Sequence, residues 1–196
     1  GIAGNTSNQI LKRMQEKKDI KRDLKKAKLM TLTVAGNDVI HVIMDNITNL
    51  NVNTFSRAAV DYQKRLRQII ELARKENKTL PIYITGIYNP FYLNFPEMTE
   101  MQTIVDNWNR STEEVSKEYD NVYFVPVNDL LYKGINGKGG VTSSDETSQP
   151  TKSSQDSLND ALFEEDHFHP NNTGYQIMSD AILKRINQTK KEWSGE

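Results

Sequence analysis

Cysteine is absent from the 196-residue chain. That removes disulfides, thiolate catalysis and cysteine-ligated zinc together, but leaves the compartment open. An excess of charge is also missing: 25 basic and 26 acidic residues give a formal net charge of −1. The overall field therefore points to neither nucleic acid nor an anionic membrane as partner. No apolar run approaches the roughly 18–20 residues that a membrane-spanning helix needs. There is no signal peptide and no initiator methionine; the chain opens GIAGNTS, an unusual start that suggests a part lying upstream. Histidine is scarce, with three copies, and two of them share one short stretch, EEDHFHPNN at 164–172.

Hydrophobic residues make up 36% of the chain, enough for a folded core, and the length suits one domain. Ile10, Leu11 and Met14 predict a first helix capped by Thr6 or Ser7. The basic run KRMQEKKDIKRDLKKAK reads as a solvated helix face, with a binding patch as the alternative. Leu29 to Val34 (LMTLTV) predicts a buried strand, followed by the turn AGND and a helix over Val39 to Ile47. From Thr54 to Lys78 the residues Phe55, Ala58, Ala59, Tyr62, Leu66, Ile69, Ile70 and Ala73 keep helical spacing. LPIYIT at 80–85 predicts a second strand, and an aromatic loop, IYNPFYLNFP, comes next. Glu97 to Tyr119 predicts a helix with Met98, Met101, Ile104, Val105, Trp108 and Val115 inward. Val122 to Val127 predicts a third strand. Residues 133–157 read as one long polar insertion. A final helix from about Asn172 should turn Tyr175, Met178, Ala181, Ile182 and Ile186 inward. Apolar strands alternating with amphipathic helices argue for a parallel sheet covered on both faces. In such sheets the chemistry collects at the carboxyl ends of the strands.

One of those loops carries Asp166 and His169 in D-x-x-H spacing. Within a turn, the carboxylate can accept from Nδ1–H, fix the tautomer and leave Nε2 as a general base. Pro170 disfavours a helical conformation at His169, and Asn171 or Asn172 can cap the helix behind it. A plain surface histidine beside acids has the same look. Zinc held by Asp166, His167 and His169 is a further alternative, lacking ligands from elsewhere. The third histidine, His41, reads as a partly buried residue on the helix after Asp38. At the end of the first strand, the Asn37 amide can donate to a developing oxyanion, with Gly36 supplying backbone freedom and Asp38 a helix cap. Gly4, in AGNT, can offer its backbone N–H to an anion. Both turns equally suit ordinary turn chemistry.

The three motifs in this order, AGNT before a helix, a strand ending in GND, and DHFHPN before the last helix, resemble the SGNH (GDSL) hydrolase family over nearly the whole chain. The segment YITGIYNPF resembles its bacterial lysophospholipase-like branch. The resemblance implies a three-layer α/β/α flavodoxin-like fold and ester hydrolysis through an acyl-serine, with no cofactor. It implies that Gly4 and Asn37 are oxyanion donors, that His169 is the base and that Asp166 orients it. The departure is the nucleophile. The chain has no G-D-S: its serines fall on predicted helices, in the polar loop or in the tail. The family's serine block lies upstream of these motifs, on a first strand that is central in the sheet, with the second strand outside it. Both strands are then absent here, the chain alone should be inactive, and the 29–34 edge should be filled by an N-terminal piece or another copy. The expected substrate is a small ester or lipid, with no nucleic acid. The expected location is extracytoplasmic, by a secreted or membrane-anchored bacterial protein. The competing readings are a non-catalytic binding module of the same fold and a metal-dependent hydrolase.

Overall fold

The computed structural model describes residues 2, 4–45, 52–93, 98–136 and 159–195. The elements run α1 (Ser7–Glu16), α2 (Lys18–Lys26), β1 (Met30–Thr33), α3 (Gly36–Asp45), α4 (Val52–Glu76), β2 (Ile82–Thr85), α5 (Thr99–Ser116), β3 (Val122–Val125), α6 (Asn128–Leu131) and α7 (Asn172–Trp193). The one-turn helix α6 was not anticipated. Residues 46–47 of the expected Val39–Ile47 helix, 94–96 of the aromatic loop, 97 at the start of the expected Glu97–Tyr119 helix and 137–157 of the polar insertion lie outside the described residues.

The strands pair in parallel in the order β1-β2-β3, with Met30 opposite Ile82 and Ile82 opposite Val122. Parallel pairing needs a crossover, and α4 and α5 supply the two. Alternation along the strands divides the side chains between two layers. Leu32, Ile82, Ile84 and Val122 enter a core with Leu11, Phe55, Tyr62, Leu66, Ile69, Ile70, Ile104 and Trp108. Tyr83, Tyr123 and Val125 face the other way, against Met178 of α7. The result is the expected α/β/α sandwich, on a small sheet. Each fully buried aliphatic or aromatic side chain contributes about 1.5–3 kcal/mol. The α4 stripe alone is therefore worth several such terms. The outer layer is also tied by polar bonds. The Tyr83 hydroxyl meets Thr189 Oγ1 at 2.6 Å and accepts from Trp193 Nε1 at 2.9 Å, so the far end of α7 is fastened to the central strand.

Three expectations fail. The central β2 is buried at every position, but β1 is not: Leu32 is buried while Thr31 and Thr33 are exposed. β1 is an edge strand, so its threonine face lacks the cover that β2 receives from α7. Tyr175, in the first turn of α7, is 53% exposed, so burial along the α7 stripe begins only at Met178. His41 is exposed on α3.

Gly174 is set by close approach to backbone. A Cβ built at Gly174 would stand 2.2 Å from the Ala161 carbonyl oxygen and 2.8 Å from Pro170 Cβ. On helix propensity alone, Gly174→Ala would stabilise by up to about 1 kcal/mol. The clash with fixed backbone outweighs this. We expect a net loss of about 1–3 kcal/mol, read as a lower urea midpoint at unchanged m-value. A raised midpoint would show that α7 can shift away from residue 161.

Candidate active site

The turn at 163–170 holds its acid and imidazole together by local bonds. Asp166 Oδ2 lies 2.7 Å from His169 Nδ1, and Oδ1 accepts from the backbone N–H of Phe168 at 2.9 Å and of His169 at 3.0 Å. An ionised carboxylate only accepts, so Nδ1 carries the proton in this pair and Nε2 is the free basic nitrogen. The backbone turns back on itself. Phe163 N–H donates to His169 O at 2.9 Å, His167 N–H donates to Phe163 O at 2.8 Å, and His167 takes the left-handed conformation with φ +49°. Leu162 and Pro170 form a bridge, and Pro170 is buried. Asn171 caps α7 by accepting from Gly174 N–H at 3.0 Å, while its amide donates to Asp160 O at 2.8 Å and Leu162 O at 3.0 Å. His169 is left presented at the surface, its side chain 63% exposed.

Hydrogen bonds from the His169 ring and from the two backbone amides hold the Asp166 carboxyl down, to about 2. The folded value thus lies below the ordinary unfolded one near 3.9. Ionised Asp166 favours the folded turn above about pH 4, and that contribution fades as the pH falls from about 4 towards about 2. A carboxyl carbon titration by NMR should show a midpoint near 2 for Asp166, moving up towards the ordinary value in His169→Ala. An ordinary midpoint in the unaltered protein would mean that the bond to His169 does not form in solution.

The second group of residues gathers where β1 ends. Gly4 takes φ +76°, a conformation that suits glycine, just ahead of the α1 N-cap Thr6. Gln9 Oε1 reaches back to accept from Thr6 N–H at 2.8 Å, closing that turn. The freedom expected of Gly36 is instead exercised by its neighbour: Ala35 is the residue with φ +85°. For an alanine this conformation carries strain of about 1–2 kcal/mol. Asn37 lies in the first turn of α3, and its amide donates one hydrogen to Asn5 O at 3.1 Å. The second amide hydrogen is left for another acceptor. This bond brings the Gly4 turn and Asn37 into one place. Asp38 is no cap. It is buried and accepts from Ser7 N–H at 2.8 Å, Ser7 Oγ–H at 2.5 Å and Arg65 Nη2 at 3.2 Å.

Because the strands are parallel, the loops after β1 and β2 leave the sheet on the same side. The loop after β2 is clamped. Asn109 accepts from Ile87 N–H and donates to Ile87 O, both at 2.8 Å, and Asn128 Oδ1 accepts from Asn89 N–H at 2.9 Å. Its Tyr88 hydroxyl donates to Phe168 O at 2.6 Å, which attaches the histidine turn to the carboxyl end of β2. Burial pushes the Tyr88 phenol well above its ordinary range, so the hydroxyl stays a donor. The structure therefore brings the loops bearing Gly4, Asn37 and His169 to one edge. Ile87, Pro90 and Leu93 of the aromatic loop are buried, while Tyr88, Phe91 and Tyr92 are half-buried. Ser7 Oγ is engaged by Asp38 and Arg65, and Ser116 Oγ donates to Glu113 O at 2.7 Å. Among the described residues no three His, Asp or Glu converge as a metal cage. The sequence reading missed Ser7, Arg65 and Tyr88, whose partners lie 31, 27 and 80 positions away.

The profile of the GDSL-like lipase/acylhydrolase family matches residues 1–177. The chain belongs to that family. A Bacillus subtilis (strain 168) relative, the uncharacterized protein YpmR, is 29% identical over 191 residues, covering 97% of this chain and 64% of its own length. This GDSL-family chain thus spans less than two thirds of that relative. Among solved structures, the lipase Lip_vut3 from a goat rumen metagenome superposes with a TM-score of 0.66 at 19% identity, over 91% of this chain and 73% of the lipase. A Clostridium thermocellum family 3 carbohydrate esterase superposes with a TM-score of 0.50 at 16% identity, over 94% of this chain and 66% of the esterase. At such identities the likeness is one of fold.

Proposed function

We propose that the protein containing this chain is a carboxylic-ester hydrolase that works through an acyl-serine, with His169 as general base and Asp166 as the acid that orients it. In this reading Gly4 N–H and the second Asn37 amide hydrogen receive the oxyanion. The contact of 2.7 Å between His169 Nδ1 and Asp166 Oδ2 carries the reading, since it fixes a tautomer whose Nε2 accepts protons from solvent-facing reactants. A serine hydroxyl attacks the ester carbonyl as Nε2 takes its proton. The tetrahedral oxyanion is held, and the imidazolium returns the proton to the departing alcohol. Water then repeats the sequence on the acyl-serine.

None of the serines in this sequence lies in a G-D-S turn. We assign the nucleophile to an upstream segment, consistent with the greater length of the Bacillus relative. The open β1 edge, with Thr31 and Thr33 exposed, is where we place the pairing of that segment or of a second copy. An export or anchor signal ahead of it belongs to the same proposal. The substrate class is a small ester or lipid.

The test is intact-mass spectrometry of the longer protein and of the 196-residue chain after a fluorophosphonate probe. The longer protein should gain one probe mass at a serine outside this sequence, and the shorter chain none. Labelling within the 196 residues would refute the placement of the nucleophile. No labelling of the longer protein would favour a non-catalytic binding module of the same fold.

A further inference from the structure

We propose that Ser7, Asp38 and Arg65 are positioning residues that hold the Gly4 turn and the Asn37 amide in register, so that both donors meet one oxyanion. This rests on the oxyanion role given to Gly4 and Asn37 above. The three side chains come from α1, α3 and α4 and meet in the interior: Ser7 is fully buried and Asp38 is 7% exposed. Their bonding has one consistent direction. Arg65 has no acceptor, so its Nε donates to Ser7 Oγ at 2.7 Å. The Ser7 hydroxyl then sends its hydrogen to Asp38 Oδ1 at 2.5 Å. Asp38 Oδ2 receives Ser7 N–H at 2.8 Å, and Arg65 Nη2 reaches Oδ1 at 3.2 Å.

The position of this network in the chain gives it its consequence. Asp38 follows Asn37 directly, in the same helical turn, and Ser7 stands three residues after Gly4. The bond from Asn37 to Asn5 O runs alongside, so the two donor-bearing segments are joined on both sides. Arg65, on the long core helix α4, ties that joint to the most deeply packed part of the molecule. Ala35 holds a strained left-handed conformation two residues before Asn37, which a loose turn would release. A buried ion pair adds little net stability compared with an apolar packing of the same volume. Stability alone therefore does not account for an aspartate here, whereas fixed orientation does.

The experiment uses the longer protein with an ester substrate, comparing Ser7→Ala, Asn37→Ala and the double variant, with thermal midpoints recorded for each. Displacing a donor by about 1 Å is worth roughly 100-fold in rate. Ser7→Ala should therefore lower kcat by roughly 10- to 100-fold at little change in KM. In the Asn37→Ala background the same substitution should cost clearly less, because one of the two donors it positions is gone and only the Gly4 N–H is left to misplace. Equal losses in both backgrounds, or a Ser7→Ala variant with unaltered kcat while Asn37→Ala is impaired, would overturn the positioning role and leave the oxyanion assignment standing. If Asn37→Ala itself has unaltered kcat, the oxyanion assignment fails and this proposal fails with it. If Ser7→Ala does not fold, Arg65→Lys carries the same comparison, since it keeps the charge and removes the Nε bond to Ser7.

Discussion

His169→Ala in the longer protein should lower kcat for an ester substrate by on the order of 10⁴-fold, the upper end of what a positioned base supplies. Its thermal midpoint should barely move. The two outcomes separate because the His169 side chain is 63% exposed and packs little apolar surface. Asp166→Asn should also impair turnover, through the tautomer. An amide at residue 166 can donate to Nδ1, which places the ring hydrogen on Nε2 and removes the free basic nitrogen. A His169→Ala protein keeping more than about a tenth of its turnover would dismiss His169 as the base, since even the weakest positioned bases are worth about 10²-fold. The check is steady-state kinetics on purified protein with a chromogenic ester, run beside a thermal melt.

Asn37→Ala should lower kcat by about 10²–10³-fold, the range for loss of one oxyanion donor, equivalent to about 2.7–4 kcal/mol. The fold should lose much less. The bond to Asn5 O is one neutral hydrogen bond, worth about 0.5–1.5 kcal/mol net. Asn37→Asp is the sharper comparison. It keeps the shape, replaces the donor with a negative charge facing a developing negative charge, and should be slower than the alanine variant. Matching rates for Asn37→Asp and the unaltered protein would mean that no anion forms near this side chain.

Local chemistry was the most legible part of the sequence. The D-x-x-H-P-N run encodes its own turn, because the carboxylate, the imidazole, the proline and the capping Asn171 all act within a few residues. The α4 stripe was equally plain, as burial and 3.6-residue spacing coincide there. What stayed hidden were contacts joining distant segments. Asp38 looks like a helix cap because an acid after a strand usually serves the helix it enters. Only the folded chain brings Ser7 and Arg65 to it. The β1 strand looks buried because LMTLTV is β-branched, yet burial depends on what lies beside it, and as an edge strand it leaves its threonines uncovered. Tyr175 fits the inward stripe of α7 by spacing alone, yet it is exposed, because periodicity says which face a residue shares and not how far along the helix that face is covered. The inward clamp of the aromatic loop was equally hidden, because Asn109 and Asn128, which hold it, lie 22 and 39 positions from their partners.

The paired acid and imidazole are three residues apart, whereas the Asn37–Asn5 tie spans 32 positions and the Tyr88–Phe168 tie spans 80. Closing a short loop takes tens of nanoseconds, and contacts between distant segments wait for the chain to collapse. The two halves of this site therefore mature on different clocks. A nascent chain leaving the ribosome exposes Asn5, Asn37 and all three strands before the histidine turn, so the imidazole, oriented within its own few residues, is the last part of the site to arrive. Partial unfolding should act first on the exposed turn: mild denaturant should loosen the imidazole while the buried joint of Ser7, Asp38 and Arg65 still holds.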